Sequence, residues 1–93
     1  MKNKKILKIR KNLDLLDNML LNIIKKRMLL VNSILKEKEF KKQIVDKKRI
    51  NLILKNIKKK SIQKKIDPII TRQIWSSMIN SFIKYEFRNF KKK

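Results

Sequence analysis

The sequence predicts an all-α fold of three helices, one of them long, paired into an intertwined homodimer. Three observations lead there. The chain has no Gly, no Ala and a single Pro, Pro68, so it can make few tight turns and favours long helices. Its apolar residues recur three and four positions apart, as on one face of a helix. The first such stretch, Ile6 to Phe40, is too long for a compact monomer of 93 residues. Some 34 helical residues span roughly 50 Å, against a radius of gyration of about 12 Å for such a globule. A second subunit related by a twofold axis is the simplest cover for the excess.

Taken in order, residues 1–5 are a basic lead-in expected to fray, and residues 6–93 form one helical domain. Helix one carries the stripe Leu13, Leu16, Leu20, Ile23, Leu30 and Ile34 and weakens over Glu37 to Gln43. Arg27 falls where this stripe should be apolar, and Lys38 follows three turns later, pointing the same way. Burying an unpaired cation costs several kcal/mol. The two cations therefore snorkel to water or meet an anion, and the working hypothesis is a small anionic ligand held among helices. Arg10, near the start, reads from the residues alone as a solvated surface residue.

Asp46 is placed to cap helix two, which extends to about Lys60 with Ile50, Ile53, Leu54 and Ile57 as its stripe. Arg49 lies three residues after Asp46, close enough for a surface ion pair or for a shared place in a site. The like charges of Lys58 to Lys65 are expected to fray the helix end. Asp67-Pro68 is a cap followed by Pro at the first helical position, where no donor is lost. Helix three then reaches about Phe90 on the stripe Ile74, Trp75, Met78, Ile79, Phe82 and Phe90. Glu86 interrupts that stripe, as a partner for a Lys or as a site acid.

Composition narrows the chemistry. There is no Cys and no His, hence no disulfide, thiolate metal site, Cys nucleophile or imidazole base. No apolar run approaches membrane-spanning length and no signal core follows the N-terminus, so a cytoplasmic protein is expected. The 28 Lys and Arg against 7 Asp and Glu suggest either nucleic acid as a partner or a compositional preference for Lys, Ile and Asn. The second explanation is preferred. Helix–turn–helix spacing and interleaved aromatics are missing, and nucleic acid gives no reason for Glu86 on an apolar face. The arginines are few, and each supplies a planar fork suited to carboxylates.

The ordered set Ile9-Arg10, Leu16-Asp17, Lys26-Arg27, Lys38, Ile44 to Arg49, Ile74-Trp75 and Glu86 resembles the all-helical class of chorismate mutase over nearly the full chain. The resemblance implies an intertwined homodimer of three-helix subunits, with chorismate, a dianion, as substrate and prephenate as product. It implies neither metal nor cofactor. Carried across, Arg27 holds one substrate carboxylate and Arg10 of the partner subunit the other, reversing the surface reading of Arg10. Lys38 donates to the ether oxygen and a carboxylate. Glu86 donates to the same ether oxygen and must carry a proton to do so, a state its apolar neighbours favour. Asp46 and Arg49 line the hydroxyl end of the pocket. Two positions depart from the family. Ile50 stands where the mutases usually have Glu, and Phe82 where they often have Ser. At both the chain is similar to the related isochorismate pyruvate lyases, whereas Asp46 keeps the acid of the mutases. The mutase is the preferred expectation and the lyase the alternative.

Overall fold

The computed structural model describes residues 2–91. Three α-helices and one short 3-10 turn account for most of them: α1 (Lys2–Glu37), the turn Lys41–Gln43, α2 (Lys47–Gln63) and α3 (Pro68–Asn89). Among the described residues there is no strand. The chain divides into two compact units, the first ending at Val31 and the second beginning at Asn32.

The first unit is helix alone. α1 begins at Lys2 rather than Ile6, so the described part of the expected lead-in is helical; Met1 lies outside the described residues. Lys is a good helix former, and this outweighs a first turn with no acid to complement the helix dipole. The apolar stripe expected to be dry is not covered within the chain. Leu13, Leu16, Leu20, Ile23, Leu30 and Ile34 remain between 52% and 66% exposed, the last of them just inside the second unit.

The second unit has the core. Leu35 and Ile44 are its buried apolar residues, and α2 packs against α3. The α2 stripe Ile50, Ile53, Leu54 and Ile57 is half-buried, as are Trp75, Met78, Ile79, Phe82 and Phe90, whereas Ile74 is exposed. Between the two helices Ser61 donates to the Ile57 carbonyl at 2.6 Å and shares a 2.7 Å hydrogen bond with Thr71. Both hydroxyls are buried. A satisfied bond of this kind contributes about 1 kcal/mol.

Both expected caps form. Asp46 accepts from the Arg49 backbone N–H at 3.0 Å, and Asp67 from that of Ile69 at 2.9 Å, with Pro68 opening α3. Two helix ends differ from expectation. α1 stops at Glu37 rather than near Phe40, because the Gln43 side-chain oxygen takes the backbone N–H groups of Glu39 and Phe40 at 2.7 and 2.8 Å. α2 runs through Lys58–Lys60 to Gln63 without fraying. Cations in a last turn face the negative end of the helix dipole, and these lysines are exposed. A two-bond C-cap then closes it, with Ile66 donating to the Ser61 carbonyl at 2.8 Å and Lys65 to that of Ile62 at 3.1 Å. Lys65 adopts φ 58°, a place usually given to glycine, in a chain that has none.

Candidate active site

Lys38 is the first residue beyond α1, and its N–H donates back to Leu35 at 3.1 Å. That turn, with Leu35 packed in the core, directs its side chain towards the last turns of α3. There its Nζ donates to Oε1 of Glu86 at 2.8 Å. The pair is mostly enclosed, with side chains 17% and 10% exposed respectively. Removing one partner of so buried a pair typically costs about 3–5 kcal/mol, since the other charge is stranded. The expected anomaly of Glu86 on an apolar face is therefore present, and so is its counter-charge. In this arrangement Glu86 accepts; it does not donate.

Beside the pair lies an open concavity of about 700 Å³ lined by Lys38, Lys42, Gln43, Val45, Asp46, Lys47 and Lys48. Its lining holds four lysines and one aspartate, a balance that suits an anion. The loop between α1 and α2 shapes the hollow, and Gln43 shapes the loop through its two accepted hydrogen bonds.

The second unit thus brings together Lys38 and Glu86 as a pair, and Lys38 and Asp46 on one wall. Asp46 and Arg49 are joined through the Arg49 backbone N–H, not the guanidinium, and both residues are exposed. Ile50 and Phe82 are half-buried. Phe82 meets Tyr85 edge to face, with ring centroids 6.5 Å apart. Arg10 and Arg27 belong to the first unit. Arg10 is exposed, in keeping with its reading from the residues alone. Arg27 is half-buried, and its Nε is buried without a hydrogen-bond partner among the described residues. A buried donor with no acceptor costs about 1–3 kcal/mol.

Sequence reasoning passed over Tyr85, whose hydroxyl donates to Oδ1 of Asn32 at 2.7 Å, and Lys42 in the concavity, and it gave Lys47 and Lys48 no role beyond their place in the run Ile44 to Arg49. Tyr85 did carry a signal, as the lone Tyr of the chain, next to the anomalous Glu86. Lys42 carried none in so basic a sequence. Among the described residues no cluster of Asp and Glu could hold a metal ion, and no helix is long and apolar enough to cross a membrane.

Comparison with known families matches residues 9–87 to the family described as chorismate mutase type II. The match spans most of the chain, and the protein belongs to that family. Neither the curated proteins nor the solved structures gave a match.

Proposed function

We propose that the protein is a chorismate mutase, rearranging chorismate to prephenate in a site completed by a second copy of the chain. The observation that supports this most is the Lys38–Glu86 pair beside a lysine-lined concavity, in a chain of this family. The reaction is a [3,3]-sigmatropic shift: one C–O bond breaks, one C–C bond forms, and no proton changes hands. The work left to a protein is restraint and charge. Clamping both carboxylates selects the folded conformer in which the reacting carbons meet. Positive groups aimed at the ether oxygen then stabilise the charge that gathers there as the C–O bond lengthens.

On this reading Arg27, half-buried on α1, takes one carboxylate through its guanidinium fork. Arg10 of the partner subunit takes the other. Lys38 has three N–H donors, so it can keep Glu86 on one and offer two to the substrate. Glu86 holds Lys38 in place, and in its neutral form donates to the ether oxygen. Asp46 and Arg49 attend the hydroxyl end. The uncovered leucines of α1 give the second copy its seat, since so much exposed apolar surface marks an association face.

Ile50 and Phe82 favour a second reading, isochorismate pyruvate lyase, because they remove polar groups that would meet the chorismate hydroxyl. Purified protein assayed on both substrates side by side tests the choice. Prephenate from chorismate, with little pyruvate from isochorismate, is expected. Pyruvate and salicylate without prephenate would overturn the mutase.

A further inference from the structure

Two hydrogen bonds between side chains distant in sequence tie the segment around the end of α1 to α3. One is the Lys38–Glu86 ion pair at 2.8 Å; the other runs from the Tyr85 hydroxyl to Oδ1 of Asn32 at 2.7 Å. Their members are neighbours twice over. Tyr85 directly precedes Glu86, and Asn32 precedes Lys38 by six residues, about 9 Å of helix rise. Tyr85 is half-buried, and the edge of Phe82, one turn earlier, fixes the plane of its ring. The hydroxyl therefore has a set direction, and Asn32, also half-buried, lies where it points. The two ties differ in kind. The ion pair joins groups that an anionic substrate pulls against when it draws on Lys38. The phenol–amide bond is neutral and touches nothing in the reaction.

We infer that Tyr85 and Asn32 are positioning residues: their hydrogen bond holds α3 in register on the end of α1, so that Glu86 stays aimed at Lys38 while substrate competes for the ammonium. This inference rests on the mutase reading for its kinetic consequence, but not for its structural one. A bond of this strength is worth a factor of about 3–10 in the population of the aligned state.

The test uses the full chain with Tyr85→Phe, Asn32→Leu, their double mutant and Asn32→Asp, which keeps an acceptor for the hydroxyl. Two readouts are taken. The first is kcat and KM on chorismate, normalised to folded protein. The second needs no substrate: the rate of reductive methylation at Lys38, followed by mass spectrometry. Tyr85→Phe and Asn32→Leu should each lower kcat about 3- to 10-fold with little change in KM. The double mutant should be no worse than either single, and Asn32→Asp should stay near the parent. Lys38 methylation should quicken by a similar factor in both single mutants. Parental kcat and unchanged Lys38 reactivity in Tyr85→Phe would overturn the inference, as would single-mutant losses that multiply in the double. If the parent itself fails to turn over chorismate, the mutase reading falls, and Lys38 reactivity alone then decides whether the tether positions it.

Discussion

The two units of the chain solve the same difficulty, a charge on a greasy face, in opposite ways. In the second unit Glu86 sits on the apolar side of α3 and is answered within the chain by Lys38. The buried hydroxyls of Ser61 and Thr71 are answered by each other. In the first unit the leucines of α1 stay open to water and the buried Nε of Arg27 is answered by nothing among the described residues. The difference teaches where the molecule is finished. The second unit answers its buried polar groups from within, although Ile69, Ile70 and Ile74 stay exposed there too. The first leaves exposed the leucines on which we propose a second copy sits, and holds the arginine to which we assign a substrate carboxylate.

The comparison can be broken at several points. The largest effect is expected at the completed end. Lys38→Ala should lower kcat by about 100- to 1000-fold, roughly 3–4 kcal/mol, if Lys38 stabilises the breaking bond; steady-state kinetics on chorismate checks it, and unchanged turnover would remove Lys38 from the mechanism. Next comes the open face of the first unit. Leu20→Lys sets a cation on the proposed association surface and should weaken dimerisation by about 2–3 kcal/mol. Sedimentation at a series of concentrations measures that, and activity should fall with the dimer. Arg27→Met removes the orphan donor. It should raise stability by about 1–2 kcal/mol in urea unfolding while abolishing activity. A variant both more stable and fully active would mean that no anion is needed there. The smallest effect is expected far from either feature. Lys65→Gly relieves a side chain held at positive φ and should stabilise by about 1 kcal/mol with no change in kinetics.

Much of this was legible in the residues because it depends on near neighbours. The Asp46 and Asp67 caps act within three positions, and the α2 stripe obeys the helical period. Other features depend on partners the chain brings from far away. Asn32 and Tyr85 are 53 positions apart, so nothing local in either marks the bond. The C-cap of α2 was illegible for another reason: its marker residue is usually Gly, and here Lys65 takes the role. The early stop of α1 turned on the Gln43 amide capturing two N–H groups, a contest between side chain and helix that periodicity does not register. Arg27 and Lys38 were conspicuous as cations on an apolar face. Glu86 was legible as a partner for some Lys, but periodicity does not say which, and the structure gives it Lys38, 48 positions away.

The central claim, that Arg10 and Arg27 of different copies serve one site, is tested most directly by mixing. Arg10→Ala and Arg27→Ala protein should each be inactive alone. After subunit exchange at equal amounts, half of the dimers are mixed, and each has one site with both arginines intact. Roughly a quarter of the parental activity should return on that statistical count. No recovery after exchange has been verified would contradict a site shared between copies.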